Sequence, residues 1–292
     1  MPPTLKVAIA TIGHRAATCL VLLLALVLPP ASAEQRIDPA ADQRAFQAYF
    51  RQAFPSVALN DFANGPYAVD KDMRKQWEEI MQFPPYDFAL EDGKKLFETP
   101  FKNGKTYADC FPQKGIGIRQ NYPYFDRQTG EVVTLDLAIN RCREQNGETP
   151  LPYQVGDMAA IDAYMASTSR GKPFAIALPA DPRALAAYEK GKKFFYERRG
   201  QLNFSCASCH VQAAGKRLRG DILAPALGIL ASFPIYRSDW GSMGTVDRRF
   251  ISCNDQVRSV AFKPEDELYR DLEYFLSYMS NGVAIAGPGT RP

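Results

Sequence analysis

The segment Cys206-Ala207-Ser208-Cys209-His210 constrains this chain more than any other stretch of its sequence. In a C-x-x-C-H run, two thiols three positions apart add to the two vinyl groups of one haem. The adjacent imidazole then reaches the iron as proximal ligand. The bare pattern also occurs in zinc and redox proteins. Zinc would be short of ligands here, because no second C-x-x-C exists and the only other histidine is His14. A thioredoxin-like motif needs a βαβ context, which the surrounding pattern does not offer. The motif therefore implies one covalently bound haem c, with Cys206 and Cys209 as attachment points and His210 as axial ligand.

The first 33 residues differ from the rest. Lys6 and Arg15 precede or open an apolar run, Ala16 to Leu28, which Pro29 and Pro30 end. Ala31-Ser32-Ala33 is a small-residue cleavage site, so 1–33 reads as a signal peptide. The 13-residue run is too short for the ~20 residues that cross a bilayer. No later run is longer, so no membrane span is expected. Without Lys6 and Arg15 the remaining 33 basic and 32 acidic residues nearly cancel, which excludes the concentrated basic face of a nucleic-acid binder. Export also places the cysteines where disulfides persist.

After cleavage five cysteines remain: Cys110, Cys142, Cys206, Cys209 and Cys253. Their spacing belongs to a weak internal repeat. Gly93-Lys94-Lys95-Leu96-Phe97 recurs as Gly191-Lys192-Lys193-Phe194-Phe195, and Cys142-Arg143-Glu144-Gln145 as Cys253-Asn254-Asp255-Gln256. Cys142 to Gly171 and Cys253 to Gly282 are both 29 residues. Each copy reads as a helix, a haem-motif region, an irregular loop, a cysteine segment and a closing amphipathic helix. In the second copy Leu268, Leu272, Phe275, Leu276 and Met279 mark that closing helix, with Pro264 opening it and Gly282 ending it.

The expected fold is mainly α, with two tandem cytochrome c-like domains from a duplication. Residues 34–85 form an N-terminal extension, 86–174 a haem-less domain, 175–284 the haem domain and 285–292 a disordered tail. The first copy has Cys110-Phe111-Pro112-Gln113-Lys114 where the second has its haem motif, so it has one thiol and no histidine. In an oxidising compartment Cys110 and Cys142 should form a disulfide; the competing pairings use Cys253 and break the symmetry of the repeat.

Cys253 is then left for another role, either an inert buried thiol or a second ligand to the iron. Met243, in Gly241-Ser242-Met243-Gly244, and Met279 are the competing ligands, and Met243 would make a passive electron-transfer cytochrome. Arg248, Arg249 and Arg258 lie close in sequence to Cys253. Cations favour a thiolate, and a guanidinium fork suits an oxyanion.

The run Arg249-Phe250-Ile251-Ser252-Cys253-Asn254-Asp255-Gln256-Val257-Arg258 resembles the active-site segment of SoxA subunits of SoxAX cytochromes. So does the haem motif followed by Gly215-Lys216-Arg217-Leu218-Arg219-Gly220-Asp221. The likeness extends over most of the mature chain and favours the monohaem members, in which a disulfide replaces the first haem. It implies oxidative conjugation of thiosulfate to a cysteine of the Sox sulfur-carrier protein, the first step of periplasmic thiosulfate oxidation. It also implies Cys253 as catalytic residue and distal haem ligand, Arg249 as substrate-binding residue, and the SoxX cytochrome subunit as partner in a heterodimer.

Overall fold

The computed structural model describes residues 37–291, so the signal peptide expected over 1–33 lies outside the described residues. The described residues form nine α-helices: α1 Pro39–Ala53, α2 Pro66–Val69, α3 Lys71–Ile80, α4 Asp87–Glu98, α5 Leu135–Gln145, α6 Asp157–Ser167, α7 Pro182–Tyr196, α8 Val246–Gln256 and α9 Glu267–Met279. Seven short strands sit in the loops: β1 Tyr124–Asp126, β2 Glu131–Val133, β3 Arg217–Leu218, β4 Asp221–Ile222, β5 Ile235–Arg237, β6 Ser242–Gly244 and β7 Gly289–Arg291.

Local chemistry sets the helix starts. Asp181 accepts a hydrogen bond from the Arg183 amide, and Pro182 sits in the first turn of α7. Asp266 caps α9 through the Leu268 amide, so that helix opens at Glu267, just beyond the expected Pro264. The two Gly-Lys-Lys segments have a packing reason. A Cβ on Gly93 would lie 1.9 Å from the Ala160 carbonyl oxygen, and one on Gly191 would lie 2.0 Å from that of Asp271. Absence of a side chain lets α4 cross α6, and α7 cross α9, at backbone contact.

From residue 122 onward the elements recur 111 positions apart. The β1–β2 hairpin matches β5–β6 residue for residue, α5 matches α8, and Ala160 on α6 corresponds to Asp271 on α9. Two apolar cores follow from this order. One gathers Phe97, Tyr107, Phe111, Ile139, Met158 and Met165. The other gathers Phe194, Phe195, Leu230, Phe250, Phe275 and Leu276. The N-terminal extension is not peripheral to the second core: Phe46 and Phe50 of α1 are buried in it, with Phe46 6.5 Å from both Phe195 and Phe275. From Pro39 on the chain forms one compact unit.

A buried ionic cluster joins the two halves. Arg119, only 2% exposed, lies 3.6 Å from Glu273 of α9 and 4.0 Å from Asp162 of α6, and donates to the Tyr122 carbonyl. Asp136 and Asp247, again 111 positions apart, are buried in the same region. Burial drives these carboxyls upward, Asp162 to about 6 and Asp247 and Glu273 to about 7.

The tail expected to be disordered over 285–292 is ordered through Arg291. β7 pairs in parallel with β5, in the register Ile235↔Gly289, Tyr236↔Thr290 and Arg237↔Arg291, giving a sheet of order β6-β5-β7. Backbone pairing, rather than apolar periodicity, fixes this segment. Met243 lies on β6 rather than in the expected flexible loop.

Candidate haem and anion site

The haem motif occupies one helical turn. Cys206 and Ala207 are α-helical and Ser208–Gln212 continue as a π-helical turn. The Ser208 hydroxyl and amide are tied to Ser205 at 3.0–3.1 Å, which fixes the turn's entry. His210 Nδ1 lies 2.8 Å from the Ala224 carbonyl oxygen. A carbonyl only accepts, so Nδ1 carries the proton and Nε2 keeps its lone pair for a metal.

His210, Cys206 and Cys209 line a cavity of about 420 Å³. Phe194 and Phe195 of α7, Leu230 and Phe233 of the preceding loop, and Leu272 and Leu276 of α9 make its apolar wall. Cys253, on α8, lines the same cavity close to the His210 ring. Burial opposes ionisation of the Cys253 thiol. Arg249 above all, with His210 and Arg237, outweighs it and brings the thiol down to about 7. Cys206 moves the other way, pushed up to about 12 by burial and by its nearness to Cys253.

The residues present fit a covalently held haem. Two unpaired thiols and an imidazole with a free Nε2 stand on one turn, and a third thiol faces that imidazole. The wall is apolar, and the polar lining is rich in arginine. Arg249, one helical turn before Cys253, has a buried Nη1 with no hydrogen-bond partner, the signature of a donor awaiting an acceptor.

The structure separates the arginines that adjoin Cys253 in sequence. Arg249 lines the cavity, whereas Arg248 stacks 4.2 Å over the Trp240 ring and donates to the Ser242 hydroxyl and Met243 carbonyl. Arg258 is not among the lining residues. Neither expected methionine ligand lines the cavity: Met243 packs against Tyr86, Ala159 and Ala163, and Met279 is buried in the core. Met243, paired with Tyr236 across β5 and β6, packs toward the first half of the chain and away from the cavity. Met73 of α3 is the methionine at the wall.

Cys110 is disulfide-bonded to Cys142, with Cα atoms 5.7 Å apart. Around it the first core is closed by ring contacts, Phe97 with Tyr107 at 5.8 Å and Phe101 with Tyr107 at 4.8 Å.

Arg237, Arg291 and Arg199, which the sequence does not single out, join Arg249 and Arg219 in the cationic lining. Arg237 is held by Asp239 at 2.9 Å and Asp221 at 3.4 Å. Arg199 stacks 3.5 Å over the Phe194 ring. No local pattern in the sequence marks them; strand pairing and chain reversal bring them to the cavity.

Residues 92–174 match the family model "SoxA/TsdA, cytochrome c domain". The chain is 51% identical over 271 residues to the L-cysteine S-thiosulfotransferase subunit SoxA of Allochromatium vinosum, covering 92% of this chain and 96% of that one. It is 50% identical over 274 residues to the protein of the same name from Chlorobaculum tepidum, covering 93% and 95%. Among solved structures it is similar to SoxXA from P. pantotrophus, with a TM-score of 0.69, 26% identity, and 77% and 86% coverage.

Proposed function

This chain belongs to the SoxA family of L-cysteine S-thiosulfotransferase subunits, and on that premise we propose that it joins thiosulfate oxidatively to a cysteine of the Sox sulfur-carrier protein in the periplasm. The observation that carries the reading is the pairing, on one face of α8, of the Cys253 thiol opposite His210 with the unpartnered guanidinium of Arg249.

Cys206 and Cys209 would attach haem c and His210 and Cys253 would hold its iron, and the group would supply a one-electron redox centre beside the reacting sulfur. Arg249 holds the sulfonate oxygens of thiosulfate in a bidentate fork. Cys253 presents a soft sulfur whose ionisation the neighbouring cations favour. Burial in the apolar cavity keeps water from competing for the anion. In the net reaction a sulfur–sulfur bond forms between the terminal sulfur of thiosulfate and the carrier cysteine. The thiol proton is released, and two electrons leave for cytochrome acceptors. The SoxX subunit, named with SoxA in the similar solved structure, is the partner that takes them.

We further propose that 86–174 and 175–284 are diverged copies of one cytochrome c-like unit and that the first has lost its haem. The 111-residue recurrence, the disulfide of Cys110 with Cys142 and the cytochrome c match over 92–174 support this. The protein then carries a single haem.

Absorption and electron paramagnetic resonance spectra of the oxidised protein test the ligand set. Low-spin haem with thiolate ligation is expected, lost in Cys253→Ala together with thiosulfate-dependent electron release. A methionine–iron charge-transfer band in the wild-type protein rejects the assignment. Intact mass tests the stoichiometry, and two haems per chain rejects the single-haem reading.

A further inference from the structure

Arg291 is the feature that the reading above leaves unused. β7 carries it beside Arg237, and it lines the haem cavity. The surroundings are built to seat it. Its Nη2 donates to the Ser232 hydroxyl at 2.9 Å and its Nη1 to the Thr290 carbonyl at 2.9 Å. The guanidinium lies 4.9 Å over the Tyr67 ring, and the Tyr67 hydroxyl donates to the same Thr290 carbonyl. Gly65 leaves room, since a Cβ there would sit 2.8 Å from Arg291 Nη2. Segments from both ends of the described chain thus converge on one side chain.

These hydrogen bonds all go to neutral oxygens, unlike those of Arg237, which is ion-paired with Asp221 and Asp239. Burial and the repulsion of Arg237 and Arg249 lower the Arg291 guanidinium to about 10. A buried cation held among cations is costly unless an anion joins it. A guanidinium has five N–H donors, more than the two hydrogen bonds above use. Arg249 contributes a buried Nη1 with no partner to the same cavity.

We propose that Arg291, delivered by the C-terminal strand, is an oxyanion-recognition residue of this cavity that acts together with Arg249, taking either a carboxylate of the haem or the sulfonate of the substrate. The inference rests on the haem and thiosulfate reading of the site. It makes the last strand of the chain part of the site rather than a trailing segment.

The test uses the haem-loaded protein with its partner cytochrome and carrier, in Arg291→Gln, Arg291→Lys and Arg249→Ala forms. Two quantities are measured: the haem reduction potential against pH without thiosulfate, and KM for thiosulfate. If the anion is a haem carboxylate, Arg291→Gln makes the potential vary with pH in the neutral range more steeply than in the wild type. If it is the sulfonate, the pH profile is retained and KM rises about tenfold, the loss of one charge-assisted hydrogen bond. Arg291→Lys gives a smaller change in the same quantity, because a point charge replaces the fork. If Arg291→Gln does not fold, the Lys variant decides. Wild-type values of both quantities in the folded variants overturn the inference, whatever Arg249→Ala does. A wild-type KM in Arg249→Ala with a changed Arg291→Gln instead removes the Arg249 clamp and leaves the inference standing.

Discussion

Replacing Arg249 with alanine removes a guanidinium whose buried Nη1 has no acceptor within the protein. A charge-assisted hydrogen bond to a poorly solvated anion contributes about 1.5–3 kcal/mol. Thiosulfate use at limiting substrate is therefore expected to fall roughly ten- to a hundred-fold by that magnitude, with the haem spectrum nearly intact. Lysine at the same position restores part of the loss, because it keeps the charge without the bidentate geometry. Steady-state electron release from thiosulfate checks both variants, and normal turnover of Arg249→Ala at low thiosulfate rejects the clamp. Arg219, also on the cavity wall, is then the next residue to substitute. At this scale the haem motif, Cys253 and the arginines near it were legible in sequence as close neighbours along the chain, and the resemblance to SoxA subunits singled out Arg249 among them. Arg248 looked equivalent to Arg249, but one residue turns a helix by about 100°. That rotation sends its side chain onto Trp240.

At the level of elements, the crossing of α7 with α9 depends on a glycine. Gly191→Ala places a methyl group 2.0 Å from the Asp271 carbonyl oxygen, a distance that only movement of the helix backbone relieves. Overpacking of this kind costs about 1–3 kcal/mol, so the denaturant midpoint should fall clearly. Gly93→Ala should act alike through Ala160, whereas Gly220→Ala, with nothing near its Cβ, should be close to neutral. Equal midpoints for Gly191→Ala and Gly220→Ala would reject the close-crossing account. The repeated Gly-Lys-Lys motif was visible in sequence as a repeat. Its cause was not, since the partner carbonyl lies 80 residues away in the second half and 67 in the first. The segment of β7 reads as disorder in the sequence because three residues paired by their backbones have no side-chain pattern to reveal them.

Two predictions concern the molecule as a whole. Breaking the Cys110–Cys142 bond with a Cys110→Ser, Cys142→Ser pair releases a closed segment of 32-residue separation. Loop entropy places the loss at about 3–4 kcal/mol, and the melting temperature should fall while the haem spectrum stays unchanged. A changed spectrum would mean that the first half supports the haem site directly. The second prediction is about pH. Burial raises Glu273, Asp247 and Asp271 to about 7 and Asp162 to about 6, against roughly 4 in an unfolded chain. Between those values the folded state binds more protons than the unfolded state. Stability therefore falls as pH rises from about 4 through 7 and levels off above. Surface carboxylates such as Asp126, lowered by backbone hydrogen bonds, act in the opposite sense but only at more acidic pH. Calorimetry of the haem-loaded protein should give a higher melting temperature near pH 5 than near pH 8, and Glu273→Gln should flatten the slope. A wild-type slope in that variant would show that Glu273 is not part of the cluster's proton uptake.

The sequence by itself determined the C-x-x-C-H motif, the leftover thiol, the arginines close to it in sequence and the recurring order of elements. These are local or periodic signals, in which spacing along the chain fixes spacing in space. The tertiary structure alone decided the long-range packing: α1 packed on the second core, Arg119 shared between Asp162 and Glu273, Met243 turned away from the cavity, and Arg291 brought to its wall by β7. Each of these joins residues far apart in sequence through burial or backbone pairing. Such contacts depend on which surfaces meet when the chain folds back on itself, and no periodicity along the chain records them.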